Sequence, residues 1–201
     1  AHMSVIVGHS VTGYATAEAV GPRISDAWWK TALVALFVAN VPDSDFLFGL
    51  AVGNPEGWHH GASHSLTAAL LVGIAAGLAV RWRGGRFRTG FLFVAPIYAS
   101  HVLLDAVAPE SPKPGVGVPL LWPFTRADIA APVPMPAWLA DALALADADV
   151  AGGYIPRLLG TDTLVVLATE AVLYAPLFLL ALWIRRVRTT TPIAEPPPTA
   201  S

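Results

Sequence analysis

The chain has no cysteine. Disulfides, thiolate metal sites and cysteine nucleophiles are excluded together, and any bound metal must be held by His, Asp or Glu. Charge is scarce as well. Only 13% of the 201 residues are Asp, Glu, Lys or Arg, about half the share usual in a soluble domain. The net charge of −2 gives no electrostatic support to a nucleic-acid partner. No basic stretch and small-residue cleavage site frame the first apolar segment, so no secretory signal is expected. Ala1, His2 and Met3 read as a cloning scar, and His2 carries no weight below.

What is present is apolar. Hydrophobic residues make up 55% of the chain, and the mean hydropathy is +0.58. Five segments stand out: Ser4 to Val20, Ala27 to Val41, Ser65 to Trp82, Gly90 to Val107 and Thr163 to Ile184. The last three are long enough to cross a hydrocarbon core of about 30 Å. The first two are shorter and are expected as tilted spans or as helices packed against the others. The fold class expected is all-α: a polytopic membrane bundle of about five helices with an irregular extracytoplasmic loop. Residues 4–188 form a single membrane-embedded domain, and 189–201 form a Pro-rich tail without apolar periodicity, expected to be disordered.

Positive charge orients the bundle. With the loop after the third segment inside, Arg23, Lys30, Arg81, Arg83, Arg86, Arg88, Arg185, Arg186 and Arg188 all lie inside. Lys113, Arg126 and Arg157 lie outside, a split of nine to three. Trp28, Trp29, Trp82 and Trp183 accompany the inner basic residues, as interfacial tryptophans do. A soluble helical protein with basic turns is the competing reading. The Pro- and Gly-rich stretch from Ala108 to Gly160 is expected to fold over the outer surface, with an amphipathic run from Ala137 to Ala148 that carries Asp141 and Asp147.

Ionisable side chains inside membrane segments are costly unless paired, coordinated or wet, so they mark function. His101 and Asp105 are four residues apart and share one helix face, with His101 about 6 Å deeper. His60 and His64 repeat the spacing where the third segment begins, presenting two imidazoles to one ion if that stretch is helical; His59 then points elsewhere. Asp43 and Asp45 follow Pro42 at the outer exit of the second helix. His9 lies toward the outer end of the first segment, and Glu170 about two turns inside the fifth. Each has an ordinary reading too: a hydrogen-bonded core histidine for His9, caps or turn residues for Asp43 and Asp45, a backbone partner or proton path for Glu170. Their common depth favours a metal cluster built from His9, Asp43, Asp45, His60, His64, His101, Asp105 and Glu170. The inner halves of the helices read as purely apolar. Ser63, Ser65 and Ser100 lie near histidines, but no nucleophile elbow is present.

The order of these elements resembles the YdjM-type inner-membrane metal-dependent hydrolases. His9, Pro42 to Asp45, His60 to Leu66, His101 to Asp105 and Leu121 to Phe124 carry the likeness, which covers roughly residues 4 to 185. The pattern departs at Gly61 and Ala62, where the resemblance would place an Arg, so it implies no phosphate-binding Arg there. A more distant likeness is to zinc-dependent phospholipase C and single-strand nucleases, which use two or three zinc ions on phosphoesters. The resemblance implies a hydrolase of the bacterial or archaeal inner membrane holding two or three divalent ions, zinc first, with manganese or iron as the other fits. Its partners would be the lipid bilayer and an amphiphilic phosphoester substrate. Glu170 and Asp45 are the expected catalytic carboxylates. Two rivals stay open: a transport or metal-handling protein, and a scaffold with a structural metal.

Overall fold

A computed structural model describes residues 6–53, 58, 60–107, 117–130 and 161–190. The expected outer-loop helix at Ala137 to Ala148, the tail and His59 lie outside the described residues. Among the described residues six α-helices follow one another: α1 (Ile6–Val20), α2 (Trp28–Ala39), α3 (Ser44–Ala51), α4 (Leu66–Trp82), α5 (Phe87–Val107) and α6 (Thr161–Thr190). Among the described residues there is no strand, only an isolated antiparallel bridge between Val118 and Ile129. The all-helical membrane bundle is as expected; the count and two boundaries differ.

The second apolar segment does not simply end at Pro42. The chain turns there and continues as α3, bent by 46° from α2. Pro42 has no N–H to carry a helical ladder onward, and Ser44 restarts the helix two residues later. The third segment is helical from Leu66, one residue later than expected, and Ser65 caps it; its 17 residues measure about 25 Å. By length and apolarity two helical stretches can cross a membrane, Phe87–Val107 and Leu167–Thr190, and the bent α2–α3 pair is a third, broken candidate.

Large apolar side chains cover the outside of the bundle: Phe37 is 71% exposed, Val172 76% and Leu179 63%. Water does not tolerate such a surface on a monomer, whereas lipid does. The soluble reading therefore fails. The interior is built from small residues around a few large ones, with Tyr14, Ile97, Phe93, Tyr98 and Val102 buried among Ala35, Ala39 and Ala106. Close approach depends on glycine. A Cβ on Gly13 would stand 2.6 Å from the Ala39 Cβ, and one on Gly90 would stand 2.5 Å from the Ala76 carbonyl oxygen. α4 and α5 form the most extensive pairing, while α1 packs against α2, α5 and α6.

One end of the bundle corrects the expectation of purely apolar inner halves. Glu18 of α1 is 6% exposed and accepts a 2.6 Å hydrogen bond from Arg185 Nη1 of α6. Arg185 Nη2 donates to the carbonyls of Ser25 (2.8 Å) and Asp26 (2.6 Å). Arg188 donates to the Glu18 and Gly21 carbonyls at the end of α1. Arg188 thus satisfies a carbonyl that the C-terminus of α1 leaves without a helical partner, and Arg185 ties the α1–α2 connection to α6.

Candidate metal centre

At the opposite end of α1 the polar residues gather. His101 and Asp105 project from one face of α5, as their spacing requires, with His101 Nε2 3.1 Å from Asp105 Oδ2. α1 brings His9, whose Nε2 is 3.2 Å from Asp105 Oδ1 and whose ring stacks on His101 at 3.8 Å between centroids. His9, His64 and His101 are fully buried, and Asp105 nearly so.

The remaining donors come from loops. Asp43 occupies the position before α3 but makes no side-chain cap bond there. Its Oδ1 turns instead to His64 Nε2 and His101 Nε2, 3.3 Å from each. His60 and His64 do not share a helix. His60 sits in the left-handed region at φ 61°, and a short 3-10 turn, Ala62–His64, follows. The turn places the two rings edge to face, 4.8 Å apart. Two imidazoles are brought together as expected, by a turn rather than by helical periodicity.

Asp45 plays a different part from the ligand role expected. Its Oδ2 accepts from Ser63 Oγ at 2.6 Å and from the Gly61 N–H at 3.4 Å, and lies 3.2 Å from His64 Nδ1. The carboxylate thus holds the back of the imidazole whose Nε2 faces the cluster, an arrangement that orients metal-binding histidines. Burial disfavours a charged His64, but the neighbouring Asp43 and Asp45 carboxylates outweigh it and hold the imidazole above its ordinary pKa. Glu170 is also outside the donor groups: its Oε2 accepts from the Gly8 N–H at 3.1 Å, tying α6 to α1 beside His9.

The donor set fits a divalent cation. Asp43, His64 and His101 form one group; His9, His101 and Asp105 a second; His60, His64 and Asp105 a third, each with ligand atoms within 4.8 Å of one another. His64 Nε2 and His101 Nε2 are 3.2 Å apart, and Asp105 Oδ2 is 3.6 Å from His64 Nε2. Donors about 2.0–2.1 Å from a tetrahedral ion stand about 3.3 Å from one another. Both Asp105 oxygens are buried, with imidazole nitrogens close by yet none in hydrogen-bonding geometry. Buried carboxylates rarely go without directed bonds. Side chains that converge on a shared centre rather than on each other leave room for a cation between them. Nitrogen and oxygen donors without sulfur suit zinc, manganese or iron.

The full chain was compared with known proteins. A family model described as YdjM inner membrane protein matches residues 3–189. The chain belongs to the YdjM inner membrane protein family. It is also 31% identical over 135 residues to the inner membrane protein YbcI of Escherichia coli (strain K12), covering 65% of this chain and 73% of YbcI. No solved structure matches. Family and candidate spans together support an inner-membrane location.

Further residues support the centre, of which Tyr98 and Tyr174 were not singled out from the sequence. Ser63 contacts both Asp45 and His64. Tyr98 donates to the Ser63 carbonyl at 2.9 Å and braces the turn that carries His64. Its position three residues before His101 puts it on the same face of α5, and that spacing is a readable signal. Tyr174 packs against Gly8, where a Cβ would come within 2.9 Å of its ring. The Leu121 to Phe124 motif is anchored nearby, since Leu66 N–H donates to the Leu120 carbonyl at 3.0 Å.

Proposed function

We propose that the protein is a multi-pass, membrane-embedded metal-dependent hydrolase acting on a lipid-like phosphoester, with its centre toward the extracytoplasmic face. The observation that carries this reading is the convergence of Asp43, His64 and His101, with donor atoms 3.2–3.3 Å apart, and of Asp105 on the other side of His101. Asp43, His64 and His101 would hold one divalent ion, and His9 with Asp105 would begin a second position. A bound divalent ion, zinc first, supplies Lewis acidity and a water acidified toward neutral pH. The chain's own residues do the rest. Asp45 and Ser63 fix the tautomer and aim of His64, and buried helices α1 and α5 keep bulk water from the donor layer. Asp43, the most exposed of the four donors with its side chain 31% accessible, lies on the side from which substrate approaches. Glu170, held beside His9, is the proposed proton acceptor. Nine basic residues at the opposite end support the orientation.

Elemental analysis of protein purified without chelator tests the metal, and a panel of lipid phosphoesters tests hydrolysis. Metal-free protein that binds none on titration would sink the reading. A second reading, metal-ion or proton-coupled transport, is favoured by buried polar groups that continue along α1 beyond His9: the Thr12 and Tyr14 hydroxyls and Glu18. Metal uptake by proteoliposomes without phosphoester turnover would establish it instead.

A further inference from the structure

The end of the bundle remote from the histidines holds a second feature, independent of the metal centre. A small cavity lies between α1, α2 and α6, lined by Arg23, Thr31, Arg185, Arg188, Thr189 and Glu18. Thr31 is 3% exposed, and its Oγ1 has no hydrogen-bond partner. A buried hydroxyl without a partner calls for an explanation, and an absent ligand is one. Thr31 belongs to the first turn of α2, a 12-residue helix whose N-terminus no side chain caps. Uncapped N–H groups and the positive end of the helix dipole favour an anion there.

The surrounding charges point the same way. Glu18 is neutralised by Arg185, and Arg188 covers the C-terminal carbonyls of α1. Each guanidinium has five N–H donors, and these bonds do not use them all. Arg23 pairs at 2.9 Å with Asp26, which is 97% exposed and therefore a weak competitor. The net field in the cavity is positive. Trp28 and Trp183, 46% and 61% exposed, mark this level as the membrane interface. Basic pockets between membrane helices at such a level take lipid phosphates.

We propose that this cavity binds the phosphoryl headgroup of an anionic phospholipid from the adjoining leaflet, with the Thr31 hydroxyl, Arg23 and Arg188 as donors and the positive end of the α2 dipole nearby. The full chain in detergent is examined by native mass spectrometry with phosphatidylglycerol or phosphatidylcholine added. One phosphatidylglycerol is expected to be retained in preference to phosphatidylcholine. Thr31→Val, which removes a hydroxyl with no partner and so does not harm folding, and Arg23→Gln should each weaken retention about tenfold. Arg83→Gln, at the α4–α5 turn, should leave it unchanged, which separates a site from general basic attraction. Competition by inorganic phosphate would support recognition of the phosphoryl group itself. Equal retention of both lipids, wild-type retention by both Thr31→Val and Arg23→Gln, or phosphate binding with no retention of phosphatidylglycerol would each overturn the proposal. Metal content, read on the same samples, reports separately on the other end.

Discussion

His64 Nε2 and His101 Nε2 stand 3.2 Å apart, and Asp43 Oδ1 is 3.3 Å from both. Two buried imidazole nitrogens facing one another beside a carboxylate oxygen repel unless protons or a cation lie between. Protein purified without chelator should carry at least one tightly bound divalent ion. His101→Ala and Asp105→Ala should abolish stoichiometric binding, measured by elemental analysis. Asp105→Ala should also remove any second ion, because its two oxygens face different histidines.

Asp45 lies outside the donor groups and holds His64 and Ser63. Asp45→Ala should therefore weaken metal affinity about 10–100-fold while leaving metal stoichiometry intact at saturation. Ser63→Ala should have a smaller effect in the same direction. Competition with a chromogenic chelator measures both. A complete loss of binding in Asp45→Ala would instead make it a direct ligand.

Acidification should act oppositely on the loaded and metal-free protein. The raised pKa of His64 means that it keeps its proton to higher pH than a free imidazole, near about 6.5. Metal needs the neutral ring, so affinity should begin to fall above pH 6.5 as acid is added, roughly. In the metal-free protein the charged ring is stabilised by Asp43 and Asp45. That stability is fully present below about 6.5 and is lost as pH rises through the raised value. Thermal unfolding with and without chelator across this range tests the sign of each.

The Glu18–Arg185 pair has both side chains less than a tenth exposed. Glu18→Gln leaves the guanidinium charge buried without its counter-ion, and breaking such a pair costs about 3–5 kcal/mol. Melting in detergent should fall accordingly, while metal content stays near wild type.

Gly90→Ala would drive a methyl into the Ala76 carbonyl. Overpacking of this kind costs about 1–3 kcal/mol. A melting temperature equal to wild type would mean that α4 and α5 approach less closely than described.

The helical class and most of the cluster were legible because their signals are local. Spacing of four put His101 and Asp105 on one face, and the rarity of charge within apolar runs singled out His9. The α3 helix was not legible, since the short run from Phe46 to Ala51, behind Pro42 and two acids, reads equally as a loop against the membrane. Asp43 and Asp45 look alike in sequence; only the turn at Gly61 to His64 separates the one that faces the histidine cluster from the one that holds a ring from behind. Arg185 was readable as an inner positive charge, but its pairing with Glu18, 167 residues away, leaves no periodic trace.

α1 touches both polar layers: His9 reaches Asp105, and nine residues on, about 13.5 Å along the axis, Glu18 reaches Arg185. A helix this short behaves as a rigid rod, so neither end can shift without the other. A strain set at one end would reach the other as a change in affinity, with metal content at saturation unaltered. A double-mutant cycle between His9→Ala and Glu18→Gln would read that transmission as a departure from additivity.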